Sequence, residues 1–195
     1  MRKRIYISAD YDYDSGDREV ANFLNKWGQD DLHSLDFIDM AKVTSGSIAN
    51  NPDCRPCDLK NEFNQQINQS SIVIFIVGDM TKYRTAGESC KKNNYFCTPY
   101  KQNYNGTKTC DFNKAYIYSS DSNVCPVNNY SYLRHEFEQA KKKNKKILIL
   151  YNSTRYENNW LPSYMTGYEY CAFPFWLNKY TKISNYNEIK KALEE

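Results

Sequence analysis

Hydrophobic positions along the chain change period several times, and each change predicts an element. Lys3–Ser8 alternates around Ile5, Tyr6 and Ile7 and predicts a first strand. Val20, Phe23, Leu24 and Trp27 then fall at i, i+3, i+4 and i+7, one face of a helix, with Asp17 as its N-cap and Gly28 as its stop. Leu35–Asp39 predicts a second strand, and Met40–Cys57, with Gly46, Pro52 and Pro56, a loop. Asp58 caps a further helix in which Leu59, Phe63 and Ile67 recur at i, i+4 and i+8. Ser71–Val77 is an unbroken apolar run ending at Gly78, the pattern of a central strand buried on both faces.

Residues 83–129 follow no such period. They are rich in Asn, Tyr, Lys and Cys and poor in aliphatic side chains, which predicts an insertion with little core of its own. Helical spacing returns in Ser131–Asn144, where Leu133, Phe137 and Ala140 form an i, i+4, i+7 stripe, and Lys146–Tyr151 predicts another buried strand. After Asn152 the pattern weakens. Trp160-Leu161-Pro162 and the run Phe173–Trp176 must pack somewhere, and Ile189, Ala192 and Leu193 predict a last short helix. The order β-α-β-α-β-(insertion)-α-β predicts the α/β class. The expected fold is a flavodoxin-like doubly wound parallel sheet with helices on both faces, one domain over 1–195 carrying the insertion 83–129.

Composition adjusts this picture in three places. No apolar run reaches the roughly 20 residues of a membrane helix, and Met1-Arg2-Lys3-Arg4 leads straight into the first strand without a signal-peptide core. A cytoplasmic protein without membrane contact is therefore expected, and the sequons at Asn105 and Asn152 read as accidents of an Asn-rich chain. The net charge of +3 is mild, and the one dense basic run, Lys141–Lys146, closes a helix where cations favour the C-terminal dipole, so no nucleic-acid partner is expected. Seven cysteines, an odd number, exclude complete disulfide pairing.

One position breaks the pattern of its own helix. Glu136 lies three residues after Leu133 and four before Ala140, so its carboxylate sits on or beside the apolar stripe. A carboxylate there is costly unless it is paired, for instance with Arg134, or used. Ligands of open α/β sheets bind beyond the carboxyl ends of the strands, which here carry Ser8-Ala9-Asp10-Tyr11, Asp39-Met40 and Gly78-Asp79-Met80-Thr81. The sequence contains neither G-x-G-x-x-G nor G-x-x-x-x-G-K-[ST], which argues against a standard dehydrogenase or P-loop ATPase. A phosphoacceptor domain would use the acidic cluster Asp10, Asp12 and Asp14, but Gly78 stands where the acceptor Asp belongs.

Four segments in this order, Arg4-Ile5-Tyr6-Ile7-Ser8, Phe37-Ile38-Asp39, Ile72–Gly78 followed by Thr81, and Tyr132-Leu133-Arg134-His135-Glu136, resemble the bacterial TIR-like domains, and among them the ThsB branch of Thoeris anti-phage defence. Tyr132 stands where that pattern commonly has Trp, and His135 fills the aromatic position before the Glu. The resemblance runs to about Tyr151, the insertion apart. It implies cleavage of NAD+ at the nicotinamide–ribose bond, giving a cyclic ADP-ribose-type signal for a downstream effector, with Glu136 as the catalytic carboxylate and no metal or second cofactor required. By position, Ser8, Ala9, Asp10, Tyr11, Asp39, Met40, Thr81 and Tyr132 are the expected substrate-binding residues. A phage-derived trigger and self-assembly are the further partners the resemblance implies. The alternative is a non-catalytic TIR-like module acting by protein–protein assembly.

The cysteines form a second constellation. Cys54-Arg55-Pro56-Cys57 has the spacing of half a zinc knuckle, and two of Cys90, Cys97, Cys110 and Cys125 can complete a tetrahedral structural zinc site. Such a site would hold an insertion short of aliphatic residues. Disulfides or unpaired thiols are the other two readings of the same residues.

Overall fold

The computed structural model describes residues 3–9, 16–29, 35–39, 56–84, 100–102, 108–110 and 131–194, with the backbone alone at 3, 35–39, 56–62, 100–102 and 108–110. In chain order the elements are β1 (Lys3–Ser8), α1 (Asp17–Gln29), β2 (Leu35–Asp39), α2 (Pro56–Gln69), β3 (Ile72–Val77), β4 (Tyr100–Gln102), β5 (Lys108–Cys110), α3 (Tyr132–Lys142), β6 (Lys146–Tyr151), β7 (Ala172–Pro174), β8 (Trp176–Asn178), β9 (Ile183–Ser184) and α4 (Tyr186–Glu194).

Five strands form one sheet in the order β2-β1-β3-β6-β7, and every neighbouring pair is parallel. Counted by position this is the 2-1-3-4-5 arrangement of flavodoxin-like doubly wound sheets. The pleat sorts the side chains into two cores. Ile5, Ile7, Ile72, Ile74, Ile76, Leu148 and Leu150 face Val20, Ala21 and Leu24 of α1 and Ile189 and Leu193 of α4. Tyr6, Val73, Phe75, Val77, Ile147, Ile149 and Tyr151 face Ile67 of α2 and Leu133, Phe137 and Ala140 of α3. Burying such a side chain contributes about 1.5–3 kcal/mol, so the two faces supply most of the driving force for the fold. β3 needs apolar residues at every position because both of its faces are covered.

Several sequence expectations move. The fifth strand, Ala172–Pro174, lies where periodicity was too short to predict it, and Pro174 suits an edge strand. The neighbouring Phe175 and Trp176 enter the first core, where Trp176 meets Phe23 edge-on at 5.0 Å and Phe175 at 4.7 Å. Gly28 lies inside α1 instead of ending it, and Asp17 opens that helix with its carboxylate engaged by Asn152. The helix expected to start at Asp58 starts at Pro56, whose fixed φ and missing N–H suit a first turn. Within the expected insertion, β4 and β5 pair antiparallel; apart from these strands and Tyr83-Arg84 at its start, the insertion lies outside the described residues. Among the described residues no helix is long and apolar enough to cross a membrane.

Candidate functional site

Strand order in this sheet reverses between β1 and β3, the switch point where the loops leaving neighbouring strands diverge and open a crevice. Ser8 and Ala9 stand at the carboxyl end of β1. Asp39 ends β2 and pairs with Ile7 across the ladder. Gly78 and Thr81 follow β3. The sheet thus brings Ser8, Ala9, Asp39 and Thr81 to one edge. Asp10, Tyr11 and Met40 lie outside the described residues, as do Asp12 and Asp14.

Glu136 reaches this edge through the direction of its helix. α3 ends where β6 begins, so it runs antiparallel to the strands, with its N-terminal half toward their carboxyl ends. Ser131 caps that end, its hydroxyl oxygen accepting from the Arg134 N–H at 3.0 Å. At the other end Asn144, in the left-handed region at φ 50°, and the Lys145 N–H bonding the Ala140 carbonyl at 2.9 Å stop the helix. Lys145 Nζ then donates to the carbonyls of Asn68 and Ser70, at 2.8 and 2.7 Å, locking α3 to the start of β3.

Leu133, Phe137 and Ala140 point at the sheet, and Glu136 goes in with them: its exposure is 0 %, and both carboxylate oxygens are out of solvent. Phe137 beside it is clamped edge-on by Phe75 at 5.4 Å and Tyr168 at 5.0 Å, so this part of the helix has little room to shift. Tyr6 lies in the same core, and Ser8, two residues further along β1, shares its face by the pleat. The Ser8 hydroxyl is fully buried and, among the described residues, has no hydrogen-bond partner. A buried carboxylate and a buried hydroxyl therefore occupy one face near the switch point.

Tyr132, Thr81, Ala9 and His135 make further contacts around this edge. Tyr132 packs edge-on against Phe63 at 5.7 Å, tying α3 to α2. Thr81 Oγ1 accepts from the Gly78 N–H at 2.8 Å, closing the turn after β3. Ala9 is buried in the core on the opposite face from Ser8. His135, on the side facing α2, lies with Nε2 3.0 Å from Asn64 Oδ1.

Sequence reasoning missed a polar cluster at the same edge on the α1 side. Asn152, the residue after β6, donates through Nδ2 to Asp17 Oδ1 at 3.0 Å and accepts through Oδ1 from Trp176 Nε1 at 2.9 Å. All three side chains are buried. Both ends of its amide are thus engaged in protein, which leaves no place for a glycan at that sequon. The signal was available only as an Asn placed immediately after an apolar strand. Gly78 belongs to this cluster, because a Cβ there would come within 2.9 Å of Asp17 Oδ1. Gly78→Ala is therefore expected to cost about 1–3 kcal/mol, read as a lowered midpoint in thermal or urea melts, since Asp17 is held by Asn152 and has little freedom to yield.

Cys54, Cys90, Cys97 and Cys125 lie outside the described residues, and Cys57 and Cys110 are described by backbone alone. Cys171 is a free thiol donating to the Tyr168 carbonyl at 3.1 Å; burial pushes its pKa up to about 11. Its alkylation in the native protein is expected to be the slow step of a pH series, rising about tenfold per pH unit toward that value, as peptide mapping after iodoacetamide would record. Neighbouring Tyr151 is pushed to about 12, by burial first and then by Glu169, Cys171 and Glu157.

A cavity of about 880 Å³ opens beyond the end of β6, lined by residues from Asn152 to Trp160 and from the β8–β9 hairpin. None of the residues proposed from sequence lines it; Glu136 and Ser8 lie elsewhere on the same sheet edge. No family model matches the chain, and no curated protein matches it.

Proposed function

We propose that this chain is a TIR-like NAD+-cleaving enzyme with Glu136 as its catalytic carboxylate, producing a cyclic ADP-ribose-type signal in anti-phage defence. The observation that carries the reading is Glu136 itself, a carboxylate of 0 % exposure on the apolar stripe of α3. A carboxylate kept at so buried a position carries a desolvation cost, and a functional role accounts for its being kept there. The switch point and the buried Ser8 hydroxyl on the same face supply a second polar group where ligands of such sheets bind.

In the reaction the bond from the ribose C1′ to the nicotinamide nitrogen breaks, and its electron pair leaves with nicotinamide. The ribose becomes oxocarbenium-like, and the Glu136 carboxylate stabilises that charge and orients the ribose hydroxyls. The cation is quenched by water, giving ADP-ribose and a proton, or by a nucleophile of the same molecule, giving the cyclic product. The chemistry needs no metal.

The second reading, a non-catalytic TIR-like assembly module, draws on the same burial, because a carboxylate closed off from solvent meets a substrate only after the edge opens. Incubation with NAD+, with chromatography of nicotinamide and ADP-ribose products, separates the two. Nicotinamide release by the protein purified from phage-challenged cells, absent from the Glu136→Gln protein, is the enzyme's result. Protection of cells against phage that survives Glu136→Gln, without NAD+ loss, is the module's.

A further inference from the structure

The cavity beyond β6 has a chemistry of its own. Its lining residues include three cations, Arg155, Lys179 and Lys182, and one carboxylate, Glu157. Glu157 accepts from Arg155 Nε at 2.6 Å, which orients the guanidinium while its side chain stays 80 % exposed. Lys179 Nζ rests 3.3 Å from the Asn152 carbonyl. Lys182 pairs with Glu19 at 2.7 Å and lies 5.5 Å over the Trp176 ring. Its φ of 59° is uncommon for a residue other than Gly, Asn or Asp, and backbone strain of this kind collects at functional sites.

The same walls are aromatic. Trp160 is half-buried at one side, and on the hairpin Tyr180 is 98 % exposed beside the exposed Leu177. A bare tyrosine next to a cluster of cations is a stacking surface without a protein partner among the described residues. The volume, about 880 Å³, falls within the roughly 300–1,000 Å³ of small-molecule pockets and far exceeds what a simple anion fills. The floor is rigid, because Asn152 is held on both sides of its amide by Asp17 and Trp176.

From this combination we propose that the groove between the end of β6 and the β8–β9 hairpin is a nucleotide-binding site separate from the Glu136 position on the same sheet edge. The phosphates would meet Arg155 and Lys179, as charge-assisted donors, and the base would stack on Tyr180. The proposal does not depend on NAD+ cleavage.

Isothermal titration with ADP tests it, with pyrophosphate and adenosine as half-ligands. ADP is expected to bind one-to-one and more tightly than either half. Arg155→Ala and Tyr180→Ala, both on exposed side chains, are each expected to weaken it about tenfold with unchanged melting temperature. Binding that persists unchanged in Glu136→Gln supports a separate site whether or not the protein cleaves NAD+. Absence of saturable ADP binding overturns the proposal, as does binding indifferent to both substitutions or lost in Glu136→Gln. Pyrophosphate binding as tightly as ADP overturns the nucleotide assignment.

Discussion

Replacing Glu136 by Gln is expected to abolish measurable nicotinamide release while leaving the protein folded, with a melting temperature close to that of the parent. The two halves of this result come from different physics. Gln keeps the volume of this fully buried side chain, so its packing is preserved and no cavity forms. It also removes the desolvation cost of a buried carboxylate while keeping an amide oxygen and N–H for polar contacts, which limits the change in stability. On the proposed mechanism the transition state, in contrast, loses the negative charge that stabilises its oxocarbenium, and losses of about 10²–10³-fold in turnover are the usual scale for one such electrostatic group. A structural role predicts the opposite pair of outcomes. Breaking a buried ion pair costs about 3–5 kcal/mol, so a folding role would appear as a large fall in denaturation midpoint. Measuring urea denaturation and nicotinamide release on the same preparation therefore decides which role Glu136 has. Loss of stability without any activity to lose would sink the catalytic assignment.

The second large effect is expected at Asn152. Asn152→Ala removes the acceptor of the buried Trp176 indole N–H and a donor to the buried Asp17 carboxylate in one step. Each buried group that loses a partner costs about 1–3 kcal/mol, more where it is charged, so the variant should lose about 3–5 kcal/mol in urea denaturation. Asn152→Asp should be as damaging, because it sets a second carboxylate against Asp17. Asp17→Asn in the Asn152→Asp background should recover part of the loss, since one charge and one amide again face each other. A thermal midpoint of Asn152→Ala within a degree or two of the parent would mean that the cluster contributes nothing to holding β6, α1 and Trp176 together.

These two residues also mark how far a sequence can be read. Glu136 was legible because a helix exposes its period: once Leu133, Phe137 and Ala140 define the stripe, a carboxylate beside them stands out without any structure. The alternating strands around Tyr6 and the unbroken run to Val77 were legible for the same reason, and with them the α/β class. Asn152 was not legible, because what makes it matter is its contact with Asp17, 135 positions earlier, and Trp176, 24 later. No local period carries such pairings. Tyr132 and Thr81 were named by position alone; the packing of Tyr132 against Phe63 and the bond from the Gly78 N–H to Thr81 could be seen only from their neighbours.

What the sequence alone determined is the run of strands and helices up to Tyr151, the last helix, and the face each must bury, since hydrophobic period and burial follow from the same local geometry. The tertiary structure alone decided the strand order and hence the switch point between β1 and β3. It also decided the fifth strand at Ala172–Pro174 and the cation-lined groove drawn from Arg155 and the β8–β9 hairpin. Those features arise from long-range pairing, where residues distant in the chain meet because two sheet faces must both be covered. Their identities were always in the sequence, but their adjacency is a property of the packed chain.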